Sequence, residues 1–302
     1  MKKILVIIFL GLILNTTAFA DKKFEKDLKK VSKDNGFVDS KGKTYSIDQI
    51  SDKNNTILII FNHGSLNDQK IDKCLSPWNK VPLAIRNLHD KKIKNFNVKI
   101  YRLCSGVKGW SKKEQTKMWK AHEKSGFLDL KLADKEGTPL IEKQKQNRKR
   151  KIIKEKVENF KAKGFKNIVL AGHSSGGWQS IKLKAEFPKL IQGVIGLNPG
   201  AGGTVKNRKD WPWWSDVRYY GFVKNLSELN ALIIAHDKDQ FNAPEDYSIF
   251  SNLNSVRFVN ITEADCKKEK MLGGYHGISL TECYANYEKN NKDIIKYLEE
   301  IF

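Results

Sequence analysis

The sequence predicts an α/β fold in which helices cover both faces of a mostly parallel sheet. Six short apolar runs have the length of strands, and helical patterns separate them. Apolar runs with little polar alternation are typical of parallel strands that are buried on both faces. The predicted strands are Thr56–Phe61, Phe96–Tyr101, Asn167–Ala171, Ile191–Leu197, Ala231–Ala235 and Val256–Ile261.

The N-terminal sequence MKKILVIIFLGLILNTTAFA has the pattern of a secretory signal peptide, which we assign to residues 1–20. Two lysines precede the apolar core Ile4–Leu14, which is too short to span a bilayer comfortably, and Ala18–Ala20 is a small-x-small cleavage site. We expect cleavage before Asp21 and an exported product, periplasmic or secreted. An uncleaved N-terminal anchor is the alternative.

The remainder, residues 21–302, is expected to form one domain, because no repeat or proline-rich linker divides it. A charged stretch over Asp21–Asn35 predicts a surface helix, and GFVDSKGKTYSI at residues 36–47 predicts a small hairpin. Two intervals, 106–142 and 200–229, are longer than a strand crossover needs. We interpret them as lid-like insertions over the carboxyl edge of the sheet.

The chain is strongly basic, with a formal net charge of +21 at pH 7. Such a charge favours association with anionic surfaces, although a solvated lysine-rich surface is the simpler interpretation. In the basic segment Glu142–Gly164, Ile153, Val157 and Phe160 recur at helical spacing and predict a helix with one buried stripe. The cluster Arg148–Lys151 could contact a phosphate-bearing polymer, but a solvated helix face is commoner, so no specific nucleic-acid binding is expected.

Aromatic residues raise two further questions. The segment DWPWWSDVRYYGF holds five large aromatics within Trp211–Tyr220, which either pack over the sheet edge or line a substrate pocket. Trp178 could likewise belong to the core or to the pocket wall.

The four cysteines are Cys74, Cys104, Cys266 and Cys283. An exported chain favours disulfides, and proximity in sequence suggests the pairs Cys74–Cys104 and Cys266–Cys283. Four free buried thiols are the alternative. No Cys-x-x-Cys or His-x-x-x-His spacing indicates a metal site.

The most informative segment is NIVLAGHSSGGWQS, in which an apolar strand ends at a G-x-S-x-G motif and a helical pattern follows. Such a strand-to-helix turn puts the middle residue, Ser174, into a strained conformation and lifts its oxygen clear of the sheet. Gly172 and Gly176 are required because side chains there would collide with the neighbouring chain. The motif predicts that Ser174 is a nucleophile, whereas a non-catalytic glycine turn is the alternative.

With this motif the chain resembles the α/β-hydrolase superfamily, whose catalytic groups follow in the order serine, acid, histidine. The acid would lie just after the strand Ala231–Ala235, where Asp239 best matches the family pattern and Asp237 competes with it. The base would be His276, which lies among glycines in GGYHG. The nearest relatives would be the dienelactone-hydrolase-like and small secreted esterase group, but the name-giving members use cysteine where this chain has Ser174.

The resemblance also implies an oxyanion hole, built from backbone N–H groups. One donor would be the N–H of Ser175, whose side chain has no assigned role. The other would come from His63–Gly64–Ser65 after the first predicted strand, as the N–H of Ser65 or of Gly64, with Ser65 slightly preferred. His63 itself is expected to organise this loop.

These features predict an exported serine hydrolase that acts on a small-molecule or polymer ester and needs no cofactor or metal. An acyltransferase or a peptidase could use the same triad. A non-catalytic binding protein of the same fold, attached to anionic polymers, is the rival from a different functional class.

Overall fold

A computed structural model describes residues 29, 32–64, 75–76, 79–105, 120, 124, 140–200, 204–205, 228–242, 244–267 and 274–302. These residues contain a nine-stranded sheet. Its strands are β1 (Gly36–Val38), β2 (Thr44–Tyr45), β3 (Thr56–Asn62), β4 (Lys92–Ile93), β5 (Phe96–Leu103), β6 (Asn167–His173), β7 (Gly193–Leu197), β8 (Ala231–His236) and β9 (Val256–Ile261).

The strand order explains where a site should form. The sheet runs β2-β1-β5-β3-β6-β7-β8-β9, with β4 paired to β5. The strands from β5 to β9 in this order are parallel, whereas β1 pairs antiparallel with β2 and β5. The chain leaves β3 towards β5 and then returns to β6 on the other side of β3. Ligands of open α/β sheets bind at such a switch point, beyond the carboxyl ends of the strands.

Helices cover both faces of this sheet. They are α1 (Leu83–Arg86), α2 (Leu140–Ala162), α3 (Ser175–Glu186), α4 (Glu282–Asn291) and α5 (Asp293–Ile301), with 3-10 turns at Ile47–Gln49, Pro244–Phe250 and Gly274–Leu280. Successive residues of β3 point to opposite faces, so Leu58 and Ile60 pack with α2 and α3. Ile57, Ile59 and Phe61 pack with α1, α4 and α5 on the other face.

The predicted α/β class and all six predicted strands are confirmed, with ends shifted by at most two residues. The predicted hairpin is present as β1 and β2, where Phe37 pairs with Tyr45. Most of the predicted N-terminal helix, the signal peptide and most of both insertions lie outside the described residues. Among the described residues, no helix is both long and apolar enough to cross a membrane.

The disulfide prediction is confirmed for one pair, since Cys266 and Cys283 are joined with their Cα atoms 5.8 Å apart. Cys104 is also disulfide-bonded, but Cys74 lies outside the described residues. The bonded pair brackets the 3-10 turn Gly274–Leu280, which carries His276. The bond therefore ties the end of the segment after β9 to the start of α4.

Candidate active site

Ser174 occupies a strained turn between β6 and α3. Its backbone angles are φ 51° and ψ −126°, a region that non-glycine residues rarely adopt. Three backbone hydrogen bonds hold it there: its N–H donates to Leu197 O at 3.0 Å, and its carbonyl accepts from Trp178 N at 2.9 Å and Gly200 N at 3.1 Å. The residue is half-buried, whereas the residues on either side of it are buried. The fold thus leaves this one side chain of the turn open.

The glycines around Ser174 are sterically required, as the sequence predicts. A Cβ atom on Gly172 would lie 2.5 Å from the carbonyl carbon of Gly176, and one on Gly176 would lie 2.2 Å from Asn62 O. Both distances are far below any real contact, and both involve backbone that cannot move aside. Gly172 therefore lets α3 approach β6, and Gly176 lets α3 approach the end of β3.

We call His63 and Gly64, which directly follow β3, the donor loop. A Cβ atom on Gly64 would lie 3.3 Å from the Cβ of Ser174, so this backbone lies against the candidate nucleophile. Ser175 is the first residue of α3, where backbone N–H groups have no partner within the helix. The backbone of Gly64 and the N–H of Ser175 thus both lie next to Ser174. Ser65, the slightly preferred donor, lies outside the described residues.

His63 organises the donor loop. Its Nδ1 donates to Gly64 O at 2.7 Å, and its Nε2 accepts from the N–H of Ser105 at 3.2 Å. Burial, and then the positive charge of Lys149, lower the pKa of His63 to about 3, while the bond to Gly64 opposes the shift. The ring is therefore neutral near pH 7, with its proton on Nδ1 and no free nitrogen for proton transfer.

Asp239 and His276 form a buried pair. His276 Nδ1 lies 2.9 Å from Oδ2 and 3.1 Å from Oδ1 of Asp239. The carboxylate also accepts from the Phe241 N–H at 2.8 Å and from the Asn198 side chain at 3.0 Å. These bonds fix the orientation of the imidazole and leave Nε2 as its second nitrogen.

The environment of Asp239 favours its charged form. Burial alone would raise the pKa of this carboxyl group. The hydrogen bond and charge of His276, together with the Phe241 N–H and the Asn198 amide, outweigh burial and hold the pKa below its usual range.

The competing carboxylate, Asp237, lies elsewhere. Its Oδ1 is 2.8 Å from Nδ1 of His236, a buried ring whose Nε2 donates to Cys266 O at 3.2 Å. Of the two aspartates between which the sequence could not decide, only Asp239 contacts His276.

His173 connects the turn at Ser174 to the loop of His276. Its Nε2 donates to the backbone carbonyl of His276 at 2.8 Å, and the two rings lie 4.9 Å apart. Burial, and then the charge of His276, lower the pKa of His173 to about 3, so the ring is neutral near pH 7. The bond of this ring positions the loop that carries the candidate base.

The hydrogen bonds of the described residues include none between the Ser174 hydroxyl and His276. His276 is hydrogen-bonded to Asp239. Ser174 follows His173 in the chain, and His173 is hydrogen-bonded to the backbone carbonyl of His276. Catalytic hydrogen bonds are often long or misaligned in enzymes without substrate.

Helix α2 contributes polar residues that the sequence analysis did not assign to the site. Lys149 is buried and donates from Nζ to His63 O at 2.6 Å and to Gly64 O at 3.1 Å. Gln146 is also buried, and its Oε1 accepts from Ser175 Oγ at 3.1 Å and from Gln179 Nε2 at 2.9 Å. The sequence predicts that the Arg148–Lys151 cluster contacts a polymer or forms a solvated helix face. Lys149 does neither, because it is buried.

The helical spacing of α2 could have identified Lys149 and Gln146 as buried residues. The predicted stripe of Ile153, Val157 and Phe160 is buried as expected. When the same spacing is extended towards the N-terminus, it reaches Lys149 and then Gln146. A polar residue on the buried stripe of a helix must find partners in the interior, and that requirement could have identified both.

Other predicted features have mixed outcomes. Trp178 is 1% exposed and packs with Phe250, so among the described residues it belongs to the core. The aromatic segment Trp211–Tyr220 lies outside the described residues. In the portion of the chain that the structure describes, no group of three or more histidine, cysteine, aspartate or glutamate side chains is arranged to hold a metal ion.

No protein-family model matches the chain, and no curated protein matches it significantly. Solved structures do match. One is a protein from Bacteroides ovatus, provisionally named a dipeptidyl aminopeptidase IV, with a TM-score of 0.51 and 12% identity. The match covers 88% of this chain but only 35% of that one.

Two other similar structures have lower TM-scores. Est1E from Butyrivibrio proteoclasticus with bound ferulic acid gives 0.47 at 14% identity, over 87% of this chain and 96% of that one. MGS-MChE2, an α/β-hydrolase enzyme from the metagenome of Mar Chica lagoon sediments in Morocco, gives 0.42 at 14% identity, over 81% and 92% of the two chains. The strand order and the strained serine turn, together with the Bacteroides ovatus likeness, show that this chain has the α/β-hydrolase fold.

Proposed function

We propose that the chain is a serine hydrolase that cleaves carboxylic esters through an acyl-enzyme on Ser174. The proposal rests on three features that lie together at the carboxyl edge of the sheet. There the donor loop lies against the strained Ser174 turn, and His173, next to Ser174 in the chain, donates to the backbone carbonyl of His276, whose ring pairs with Asp239. A binding protein without catalysis has no use for these three features together, and a strained backbone is costly to maintain.

In the first half of the reaction, Ser174 Oγ attacks the carbonyl carbon of the ester. Its proton passes to His276 Nε2, while Asp239 accepts the hydrogen bond from Nδ1 and stabilises the imidazolium. The carbonyl oxygen becomes an oxyanion, which the backbone N–H groups of Ser175 and Gly64 receive. Each well-placed donor of this kind contributes about 3–4 kcal/mol to the transition state.

In the second half, the tetrahedral intermediate collapses and the bond between the carbonyl carbon and the alcohol oxygen breaks. His276 gives its proton to the departing alkoxide, which leaves as an alcohol, and Ser174 retains the acyl group. A water molecule then attacks the acyl carbon as His276 takes its proton. Release of the carboxylic acid returns the proton to Ser174.

We also propose that the protein acts outside the cytoplasm. The N-terminal sequence pattern and the Cys266–Cys283 disulfide both support this location, since disulfides persist in oxidising compartments. There the basic surface would meet anionic polymers, an association that added salt would weaken.

Hydrolysis of p-nitrophenyl esters of increasing acyl length tests the enzymatic proposal. The wild type should release p-nitrophenol, and Ser174→Ala should lower kcat by at least about 10⁴-fold, since removal of a triad nucleophile has effects of that size. Ser251→Ala, which alters an exposed serine between β8 and β9, is the matched control and should retain the wild-type rate. Equal rates for the wild type and Ser174→Ala would refute the proposal.

A further inference from the structure

Lys149 is a buried cation directed at the backbone of the donor loop. Its ammonium group contacts two successive carbonyl oxygens, those of His63 at 2.6 Å and Gly64 at 3.1 Å. Its residue is 3% exposed, although it lies in a helix whose neighbouring lysines are largely exposed or half-buried. Burial of a lysine is unfavourable unless hydrogen bonds compensate, and charge-assisted bonds are the strongest of these.

The contact with His63 determines how the next peptide is oriented. In a trans peptide the carbonyl and the N–H point in opposite directions, and the described residues contain no cis peptide. Because Lys149 holds the His63 carbonyl, the N–H of the same peptide, which belongs to Gly64, points away from the ammonium group. A hydrogen bond to the carbonyl also strengthens the N–H as a donor.

Gly64 O is held by two donors, Lys149 Nζ and His63 Nδ1. A rotation of the donor loop that exchanged carbonyl and N–H directions would break these bonds and the bond to His63 O. It would also place carbonyl oxygens near Ser174, where an oxyanion requires donors. The buried cation therefore opposes the one peptide rotation that would abolish an oxyanion hole at this point.

The same helix face also contacts the second proposed donor. Gln146 and Lys149 are three residues apart, so their side chains lie on one face of α2. Gln146 accepts from the side chain of Ser175, whose backbone N–H is the other proposed donor. One helix thus contacts both segments that would form the oxyanion hole.

We propose that Lys149 is a positioning residue of the oxyanion hole, which keeps the Gly64 N–H turned towards the nucleophile. This inference rests on the proposed serine hydrolase function and deepens it. Lys149 does not touch the substrate; it acts through the His63–Gly64 peptide.

Lys149→Met tests this proposal, because methionine retains much of the volume and removes the charge and the donors. We expect kcat for a p-nitrophenyl ester to fall by about ten- to a hundredfold, somewhat less than loss of a whole oxyanion donor. KM should stay within about twofold of the wild-type value, since the ground state makes no oxyanion. The inhibition constant of a trifluoromethyl ketone, whose serine adduct carries an oxyanion, should rise by about the same factor as kcat falls.

Lys151→Met is the matched control, since Lys151 lies on the same helix, is exposed and pairs only loosely with Glu155 at 3.8 Å. It should leave all three constants unchanged. The proposal is overturned if folded Lys149→Met keeps wild-type kcat, or if kcat falls while trifluoromethyl ketone inhibition is unaltered. Failure of the serine hydrolase function itself would differ, because the wild type would then hydrolyse no ester.

If Lys149→Met does not fold, Lys149→Arg and Lys149→Gln provide the comparison. Arginine keeps the charge and several donors, whereas glutamine keeps one neutral donor. We expect kcat to decrease from the wild type to Lys149→Arg and further to Lys149→Gln, with parallel weakening of trifluoromethyl ketone inhibition. Equal kcat values in the two variants would contradict a role for the charge-assisted bonds.

Discussion

Two loops contact the turn formed by His173 and Ser174, and they are held in different ways. The donor loop is fixed through its backbone, since Lys149 and His63 hold its carbonyl oxygens. The 3-10 turn Gly274–Leu280, which we call the base loop, is fixed from its ends and through side chains. A disulfide brackets it, and Asp239 holds the ring of His276, whose backbone carbonyl also accepts a hydrogen bond from His173.

This difference matches what each loop would supply. An oxyanion hole uses backbone N–H groups, so the orientation of a peptide must be fixed. A general base uses a side chain that takes and returns a proton, so one ring nitrogen must be oriented while the other stays available. Asp239 orients Nδ1 of His276 and leaves Nε2 for the reaction.

The largest expected effect in this comparison comes from the acid that orients the base loop. Asp239→Asn should lower kcat by about 10³–10⁴-fold, because the amide no longer stabilises the imidazolium or selects the tautomer with its proton on Nδ1. Steady-state hydrolysis of a p-nitrophenyl ester measures this loss.

Asp237→Asn is the matched control, since Asp237 contacts His236 and not His276. It should change kcat by less than about threefold, in the range of substitutions outside the reacting groups. A larger loss in Asp237→Asn than in Asp239→Asn would show that the acid has been assigned to the wrong carboxylate.

The second prediction concerns the covalent restraint on the base loop. Replacement of both Cys266 and Cys283 by alanine removes a bond between residues 17 apart in sequence. The free energy of unfolding should fall by about 2–4 kcal/mol. Below the unfolding transition kcat should also fall several-fold, because the base becomes less well positioned. Urea unfolding and ester hydrolysis measure the two effects. Unchanged stability and rate in the variant would contradict a role of the disulfide in holding the base loop.

The smallest predicted effect concerns the buried neutral histidine that supports each loop, which is His63 for the donor loop and His173 for the base loop. The pKa of His173, and likewise that of His63, is about 3 in the folded protein and about 6.5 in the unfolded chain. Between these values the unfolded state binds more protons, so stability falls as the pH decreases. Each histidine should contribute a slope of about 1.4 kcal/mol per pH unit.

His173→Gln keeps a donor near Nε2 but does not titrate. Between pH 6 and pH 4, its unfolding free energy should therefore depend on pH less steeply than that of the wild type, by about 1.4 kcal/mol per pH unit. His63→Gln should remove a similar slope, although it also disturbs the donor loop. An unaltered pH dependence in His173→Gln would mean that this ring is already protonated in the folded protein at those pH values.

The sequence predicts the sheet and the strained serine turn well, for physical reasons. Buried parallel strands require continuous apolar runs, and a strained serine turn requires glycines at fixed positions. The choice between Asp237 and Asp239 could not be made from sequence, because it depends on which way a short turn after β8 directs each carboxylate. The structure directs one to His236 and the other to His276.

The contributions of Lys149 and Asn198 were missed for different reasons. Lys149 lies in a run of basic residues, where a single buried member is hidden among exposed ones. Asn198 directly follows β7 and its amide bonds to Asp239, but nothing in the sequence around it indicates that role. Polar residues that support a site have no motif of their own, since their identity depends on which backbone or carboxylate the fold brings to them.

Active-site labelling tests the central claim most directly. The protein is treated with a fluorophosphonate, which reacts covalently with activated serines, and the adduct is located by peptide mass spectrometry. The account predicts a single adduct on Ser174 in the wild type and no adduct in Ser174→Ala. An unlabelled wild type, or an adduct that persists in Ser174→Ala, would contradict it.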